Sequence, residues 1–366
     1  MKSRSLAALS VSVVFALSGI PAYAGEAEAD PFGKYEETLD VHFVRATDDT
    51  IETYALGNLP GQTLEDNFWL DTYRDELGIN VVYDWVVKGD DEYNQKINIT
   101  IATGELPDIM SVTATQMVQL AEADLIADIS DVYEAYAADF TKETLTQEGE
   151  DPFLAASIDG KMYGLPVTGG SVDSVDLMWI RQDWLDKFGL EIPQTMDELL
   201  TIIDKFTNED PDGDGENNTY GIGVAGSPNV FGGGYGGLKG FFNAYGAYPT
   251  IWIEKDGQLV YGATQPECKE ALATLADLYQ KGMIDPEFGV MDSGKAGEAG
   301  AAGKCGLTFG QQWLSLVQFQ TNYNLDNDAV WSACPIPTAG DEKASAQADL
   351  GTTRWLVVRK DFEHPE

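Results

Sequence analysis

The chain has 366 residues, a length that suits two α/β domains better than one. Its 61 acidic and 22 basic residues give a formal net charge of −39 at pH 7. Such a charge repels nucleic acid and anionic membrane surfaces, and it disfavours a polyanionic ligand unless a local basic pocket overrides it. Eight tryptophans and sixteen tyrosines supply the flat apolar faces that sugar-binding clefts use, although most such rings belong to cores.

Residues 1–24 have the features of an export signal, with a basic start, an apolar stretch over residues 6–20 and the small-x-small sequence Ala22-Tyr-Ala24. The apolar stretch is too short to cross a bilayer. No cysteine follows the signal, so the lipid anchor of a bacterial lipoprotein is not predicted. We expect an exported, soluble protein of the periplasm or extracellular space, with a flexible mature N-terminus over residues 25–38.

Cysteine and histidine are few. The odd number of cysteines, Cys268, Cys305 and Cys334, leaves at least one thiol free or paired between chains in an exported protein. The two histidines, His42 and His364, make no zinc-binding spacing with them. The sequence therefore predicts neither a zinc site nor a defined disulfide pairing.

Strand and helix patterns alternate from residue 39 onward. The predicted elements are a strand over Leu39–Val44, a helix over Asn67–Leu77 ending at Gly78, a strand over Ile79–Val87, a helix over Glu92–Thr103 ending at Gly104, and a strand over Asp108–Val112. This order predicts an α/β domain with a largely parallel sheet, and we assign residues 39–167 to a first lobe.

A second α/β series, residues 168–350, follows a segment rich in glycine and proline. The first predicted elements are a strand over Leu177–Arg181 and a helix over Gln182–Phe188 that ends at Gly189. A Thr195–Glu198 capping box begins the next helix, which has Leu199, Ile202, Ile203 and Phe206 on one face. A further helix over Cys268–Gln280 has Leu272, Leu275 and Tyr279 on one side and ends at Gly282. The glycine-rich tract Gly232–Gly240 lacks the flanking strand and helix of a dinucleotide-binding fingerprint.

One loop has the pattern of a calcium site. In Asp210-Pro-Asp-Gly-Asp-Gly-Glu-Asn-Asn-Thr219 carboxylates alternate, as in loops that fold oxygens around a hard cation. The glutamate that closes an EF-hand loop is replaced by Gly221, so another closure is required. The alternative is an Asp/Gly-rich turn without metal. The predicted calcium ligands are Asp210, Asp212, Asp214, the Glu216 backbone carbonyl, and the side chains of Asn218 and Thr219. Because only one such loop occurs, we expect the calcium to be structural.

Seven segments in order make the chain from residue 39 to 366 resemble the family 1 extracellular solute-binding proteins of bacterial ABC transporters. They are Ile101–Ile109, Asp159–Pro166, Trp179–Gly189, the calcium loop, Tyr279–Phe288, Leu307–Trp313 and Gly351–Arg359. The resemblance implies the periplasmic-binding-protein fold, similar to type II: two α/β lobes with the ligand in a cleft between them. It also implies crossing segments near Val167–Ser171 and Leu350–Leu356, and alginate-oligosaccharide binders of this family carry a structural calcium.

Two departures from the family pattern are visible. Family members run well beyond the position of His364-Pro-Glu366, so we expect a chain that is incomplete at its C-terminus, with residues 351–366 as the return crossing. The missing lipobox cysteine argues against tethering of the kind found in Gram-positive bacteria.

The resemblance also implies ligand-binding positions. Thr47 and Asp48, and Ser111 and Thr113, should lie at the cleft mouth of the first lobe, where the alternative for each is a helix cap. In the second lobe Trp313 is similar in position to the stacking tryptophan of maltose-type binders and is the leading candidate. Tyr235 and Trp355 are further candidates, although Trp355 lies in a Leu-Val-Val strand that favours a core role.

The function implied by the resemblance is capture of an oligosaccharide or related solute, without catalysis, for delivery to an ABC permease by a monomeric binding protein. An alternative is a secreted calcium-containing carbohydrate-active enzyme, a glycoside hydrolase or lyase, since 61 acidic residues could include a catalytic pair. No motif resembles such a pair. A third possibility, a calcium-dependent cohesion or scaffold module, predicts repeated loops, and only one is present.

Overall fold

The computed structural model describes residues 30–147, 149 and 151–366. The predicted signal sequence and residues 25–29 of the predicted N-terminal segment lie outside this range. The strands are β1 (Leu39–Thr47), β2 (Ile79–Lys88), β3 (Ile109–Val112), β4 (Ser157–Ile158), β5 (Lys161–Met162), β6 (Leu165–Thr168), β7 (Leu177–Arg181), β8 (Trp252–Lys255), β9 (Gln258–Tyr261), β10 (Leu307–Gly310), β11 (Trp331–Cys334) and β12 (Thr352–Val358).

Helices alternate with these strands along much of the chain. They are α1 (Phe68–Thr72), α2 (Asp90–Thr103), α3 (Ala114–Glu122), α4 (Ser130–Tyr136), α5 (Asp139–Leu145), α6 (Asp151–Ala156), α7 (Gln182–Phe188), α8 (Met196–Asn208), α9 (Lys239–Ala244), α10 (Pro266–Gln280), α11 (Ser293–Ala301) and α12 (Gln318–Leu325). Single helical turns lie at Thr50–Ala55, Leu56–Asn58, Tyr73–Leu77, Ser171–Ser174, Gly262–Thr264, Phe288–Val290 and Gln312–Leu316. Within the described range, no helix is both long and apolar enough to cross a membrane.

The described residues form two compact units. The first contains residues 30–110, 124–144 and 358–366, and the second contains residues 111–123 and 145–357, apart from the two positions not described.

In the first unit β1 runs parallel to β2, from Leu39 opposite Ile79 to Thr47 opposite Lys88, and it also meets β3 in parallel at Phe43. This is the parallel pairing that the β-α-β order predicts. Within the segment that connects β1 to β2, the Asn67 side chain caps α1 by accepting hydrogen bonds from two backbone N–H groups.

A buried carboxylate ties the first unit together at the start of β3. Asp108 accepts a hydrogen bond from the His42 backbone N–H (2.8 Å) and one from the Arg359 guanidinium (2.7 Å). Asp108 is almost fully buried, and its charge is compensated by Arg359, as a buried carboxylate requires. The pairing raises the pKa of Arg359.

The second unit contains an antiparallel sheet in which β7 lies between β10 and β11, with Trp179 opposite Thr308 on one side and Ala333 on the other. Elsewhere in this unit β12 pairs antiparallel with β6, so that Thr352 lies opposite Thr168. The segments that the resemblance implies as crossings, near Val167–Ser171 and Leu350–Leu356, are thus hydrogen-bonded neighbours.

Helix α8 is built as the sequence predicts. Thr195 and Glu198 form the predicted capping box, in which each side chain bonds to the backbone N–H of the other residue. The predicted apolar face of the helix is buried in the largest hydrophobic cluster, where Phe206 meets Trp184 edge to face at 5.2 Å between ring centroids.

Helix α10 differs from its prediction. Leu272 and Tyr279 share a face, as expected, but they are 57% and 45% exposed. The fully buried side chains are Cys268, Ala271 and Leu278, on an adjoining stripe of the helix. Leu275, the third residue of the predicted face, packs against the same hydrophobic cluster, so the helix buries one edge of that face and leaves Leu272 and Tyr279 exposed.

The three cysteines are all buried, and none forms a disulfide within the chain. Burial raises the pKa of each thiol, for Cys305 to about 12. The expectation of at least one unpaired thiol is confirmed.

Candidate calcium loop and solute-binding site

The aspartates of the predicted calcium loop converge. Asp210, Asp212 and Asp214 each offer a carboxylate oxygen, and these oxygens all lie within 4.8 Å of one another. The loop begins directly after α8 and turns through left-handed backbone at Gly213 (φ +76°) and Gly215 (φ +83°), which glycine adopts without steric cost.

Both neighbouring helices hold the loop. From α7, the Lys187 ammonium donates to the backbone carbonyls of Asp210 (2.7 Å) and Pro211 (3.2 Å). At the other end the Thr219 hydroxyl donates to the carbonyl of Phe206 in α8 (2.8 Å). The loop is therefore anchored at both ends by contacts that do not involve its carboxylates.

Two oxygens of the loop fit a cation. Asp210 Oδ1 and Asn218 Oδ1 are buried and have no hydrogen-bond partner among the described residues. An unpaired buried oxygen costs free energy, and a hard cation is a partner that such oxygens accept. Together with the three convergent carboxylates, this donor set fits calcium.

The pKa values of two aspartates in the loop are shifted in opposite directions. Burial, with the neighbouring carboxylates of Asp214 and Asp210, raises the pKa of Asp212 more than the backbone N–H of Asp214 lowers it. The pKa of Asp214 is lowered, because its carboxylate accepts hydrogen bonds from the Glu216 backbone N–H and the Asn218 amide, each at 2.8 Å.

The remaining predicted ligands are placed differently. Thr219 is buried and its hydroxyl proton is already donated to the end of α8. The Glu216 side chain accepts a long hydrogen bond from Asn218 (3.4 Å). The roles of Glu216 and Thr219 as calcium ligands stay predictions.

Trp313, the leading candidate for ligand stacking, is half-buried. Its indole N–H donates to Gln311 Oε1 (2.7 Å), and the Gln311 amide donates to the Ser174 carbonyl (3.3 Å). One part of the ring packs on the hydrophobic cluster that contains Trp179 and Phe319. An indole held in this way has a fixed orientation and keeps apolar surface in contact with solvent.

The glycine-rich tract makes room beside this indole. Gly234 has φ +96°, and a Cβ there would lie 3.4 Å from Trp313 and 2.5 Å from the Ser293 hydroxyl. A side chain at this position would have to displace one of them. The tract therefore serves close packing of backbone and side chains, which explains its glycines without a phosphate-binding role.

The other aromatic candidates are buried. Tyr235 is completely enclosed, and a Cβ on Gly223 would approach its ring to 2.7 Å. Trp355 is almost as buried, and its indole N–H donates to the Pro152 carbonyl (3.3 Å). The structure gives Trp355 the core role that its strand favours, and neither ring offers a face to a solute.

The first-lobe candidates are divided between the two units. Thr47 is buried at the end of β1, and its hydroxyl has no partner among the described residues. Asp48 accepts the Ile51 backbone N–H (2.8 Å), and Thr113 caps α3 in a capping box with Gln116. These two residues do what the helix-cap alternative predicts, whereas Ser111 is half-buried within β3.

Polar residues that the sequence did not single out extend the Trp313 site. The Ser174 hydroxyl accepts the Asp349 backbone N–H (2.7 Å), and the Asp349 carboxylate pairs with the buried Lys239 ammonium (2.9 Å). A continuous hydrogen-bonded chain therefore leads from Trp313 through Gln311, Ser174 and Asp349 to Lys239. Its members are far apart in sequence, so no local motif signals it.

Asp176 lies beside this chain and is a further residue that sequence reasoning missed. It is 2% exposed, one carboxylate oxygen accepts the Gly240 backbone N–H (3.0 Å), and the other has no partner among the described residues. Burial raises its pKa, against the lowering effect of that N–H and of Lys239.

Comparison with known proteins decides the family. The model of the family described as bacterial extracellular solute-binding protein matches residues 60–366. The chain belongs to this family.

Two curated relatives are similar in sequence. The lipoprotein LipO of Bacillus subtilis (strain 168) is 29% identical over 261 residues, which are 71% of this chain and 49% of LipO. The fructooligosaccharide ABC transporter substrate-binding protein FusA of Streptococcus pneumoniae serotype 4 (strain ATCC BAA-334 / TIGR4) is 29% identical over 231 residues, 60% of this chain and 41% of FusA. The chain thus spans about half the length of the curated relatives it matches.

Solved structures of solute-binding proteins share the fold. FusA of S. pneumoniae in complex with kestose has a TM-score of 0.65 at 21% identity, covering 88% of this chain and 63% of FusA. The alginate-binding protein AlgQ2 without calcium ion has a TM-score of 0.65 at 15% identity, covering 91% of this chain and 66% of AlgQ2. These likenesses confirm the predicted α/β solute-binding-protein fold class.

Proposed function

We propose that the chain acts as the substrate-binding component of a bacterial ABC importer. In this role it binds an oligosaccharide or a related solute outside the cytoplasmic membrane, as a monomer, and presents it to the membrane permease. It performs no reaction on the solute and binds no nucleic acid. The match to the solute-binding family over residues 60–366 is the observation that carries this proposal.

The geometry around Trp313 supports a saccharide as the solute. A sugar ring has an apolar face, which stacks on an indole, and a rim of hydroxyls, which need hydrogen-bond partners. The half-exposed indole of Trp313 is adjacent to a hydrogen-bonded chain of amide, hydroxyl and carboxylate groups. FusA, a relative, is named for binding a fructooligosaccharide.

We further propose that the Asp210–Thr219 loop binds calcium and that this calcium is structural. The loop is fixed between α7 and α8, and its convergent carboxylates otherwise repel one another. Calcium would supply the charge that balances them and a partner for the unpaired oxygens of Asp210 and Asn218. Solved FusA structures include one described as an EF-hand mutant.

The test combines a ligand screen with one substitution. Thermal-shift measurements in calcium against a panel of oligosaccharides should give a rise of several degrees for one glycan class, since a ligand that binds only the native state stabilises it. Trp313→Ala should weaken binding of that glycan by about 10-fold or more while changing the apo melting temperature little.

The control is Trp252→Ala, which removes a more exposed tryptophan of the same unit from the hairpin of β8 and β9. It should leave binding unchanged. A large loss of apo stability in Trp313→Ala with binding intact would show that the indole is structural. Cleavage products after incubation with the glycans would instead support a carbohydrate-active enzyme.

A further inference from the structure

A cavity lies within the first unit, far in sequence from Trp313. It has a volume of about 540 Å³ and opens between the turns at residues 50–64 and helix α1, against β1 and β2. Its lining includes Arg45 and Tyr83 from the strands and Phe68, Trp69 and Tyr73 from the helical segment. A volume in this range suits one or two rings of a small ligand.

The cavity contains a cation without a counter-ion. The guanidinium of Arg45 lies over the ring of Tyr83, 5.8 Å from its centroid, and its Nε donates to the Ala46 carbonyl (3.1 Å). Arg45 forms no ion pair with any residue that the structure describes. Both terminal nitrogens are therefore available, in the planar arrangement that binds a carboxylate through two hydrogen bonds.

The surroundings of Arg45 are unusual for this chain. One residue in six is acidic, yet no aspartate or glutamate is among the described residues that line the cavity. Elsewhere, Lys88 on β2 pairs with Asp49, and Lys239 in the second unit pairs with Asp349. Arg45 is thus a local positive site in a strongly negative protein, which is the condition under which an anionic group can bind here.

Exposed aromatic rings complete the cavity. Trp69 is 60% and Phe68 43% exposed, and their ring centroids are 5.2 Å apart. The hydroxyls of Tyr73 and Tyr83 make no hydrogen bond with the described part of the protein. Flat apolar faces next to hydroxyl groups suit a pyranose ring, whose apolar face stacks on an aromatic ring while its hydroxyls donate and accept hydrogen bonds.

We propose that this cavity binds a uronic acid residue of an oligosaccharide, with the sugar carboxylate on the Arg45 guanidinium and the ring against Trp69. The inference rests on the proposed solute-binding function, because it names an acidic saccharide as a ligand class of the same chain.

The experiment is calorimetric titration of the chain with trigalacturonate, and with galactotriose as its neutral counterpart. Arg45→Gln should weaken trigalacturonate binding by about 10- to 100-fold, the effect of losing a charge-assisted hydrogen-bond pair. Its affinity for galactotriose should change by less than about twofold. Arg45→Lys should give an intermediate loss, because an ammonium cannot replace the planar fork.

Lys96→Gln is the matched control, since it removes one positive charge from α2 outside the cavity lining. It should bind trigalacturonate as the parent chain does. Trp69→Ala should weaken binding of trigalacturonate, and circular dichroism melts of every variant confirm that it is folded.

The inference is overturned if the parent chain does not bind trigalacturonate at millimolar concentration, or if folded Arg45→Gln binds it as the parent does. Equal binding of triglutamate would overturn the saccharide class. Binding of a neutral glycan that depends on Trp313 would, in each of these cases, leave the proposed function standing. If the parent chain binds no glycan at all, both this inference and the proposed function are contradicted.

Discussion

At the scale of single residues, His42 shows how a strand pair acquires a pH dependence. His42 Nδ1 and Asp84 Oδ1 lie 2.6 Å apart on adjacent strands. The hydrogen bond with Asp84 raises the pKa of His42 above its ordinary 6.5, with smaller contributions from Asp108 and Asp40. Folding therefore favours the protonated imidazole. The contribution of this pair to the stability of the folded protein is fully present below pH 6.5 and is lost as the pH rises through the raised pKa of His42.

We predict that His42→Gln lowers the free energy of unfolding at about pH 5.5 by about 0.5–1 kcal/mol, the range for a half-exposed ion pair. At about pH 9 the difference from the parent chain should nearly vanish. Urea unfolding at the two pH values measures it. Asp84→Asn should show the same pH dependence, and the double variant should lose no more than either single one. A pH-independent difference would contradict the assignment.

The residue scale is also where sequence reasoning about the site reaches its limit. Trp313 was a candidate because its position is similar to that of the stacking tryptophan of maltose-type binders, and the structure leaves its ring half-buried. Tyr235, a weaker candidate in the glycine-rich tract, is enclosed by glycines from elsewhere in the chain, such as Gly223 and Gly300. The sequence did not single out Arg45 as a binding residue. What distinguishes Arg45 is that no acidic residue lines its cavity, and this arrangement is visible only in the folded protein.

At the scale of elements, the sequence predicted where helices end more accurately than which side of a helix is buried. The αL residues Gly78, Gly104 and Gly189 end their helices as predicted, because a local backbone requirement determines them. The buried face of α10 was not predictable in this way, since it depends on which neighbours cover the helix. The helical turn at Tyr73–Leu77 follows α1 as a π-helix, in which hydrogen bonds join residues five apart rather than four. No feature of the sequence distinguished it from a continuation of the α-helix.

We predict that Thr195→Ala lowers the free energy of unfolding by about 1 kcal/mol, because it removes the capping hydroxyl of α8. Thr201→Ala is the matched control, since Thr201 is an exposed residue within the same helix. Alanine has the higher helix propensity, so this control should be neutral or slightly stabilising. Chemical denaturation of the two variants compares them, and equal losses would show that the cap contributes nothing specific.

The Glu198 carboxylate in this capping box makes the stability of the protein depend on pH. Backbone N–H groups of Gln194 and Thr195 lower the pKa of Glu198 below its usual 4.5. Its contribution to stability is therefore present above pH 4.5 and is lost as the pH falls through the lowered value. The stabilising effect of the Thr195 cap should be measured near neutral pH for this reason.

At the scale of the whole molecule, the net charge of −39 makes the chain sensitive to any bound cation. We predict that a calcium chelator lowers the melting temperature and that Asp212→Ala lowers it to a similar extent with calcium present. A cation bound only to the folded state stabilises it by mass action, so the melting temperature should rise with calcium concentration. Differential scanning calorimetry follows both effects.

Asp341→Ala is the control for this experiment, since it removes an exposed carboxylate outside the loop. Its melting temperature should still respond to the chelator. Asp212→Ala, by contrast, should have lost that response. A melting temperature that is the same with and without chelator in the parent chain would refute the calcium assignment.

The burial of all three native thiols makes the chain suited to use as an optical sensor. Reaction with a maleimide requires a thiolate, and a thiol with a pKa of about 12, such as Cys305, is almost entirely protonated at neutral pH. A cysteine introduced at the exposed Ser315, close in sequence to Trp313, would therefore take up a fluorophore while Cys268, Cys305 and Cys334 stay unmodified. Dye emission from this position would test the proposed solute binding without prior removal of these three cysteines.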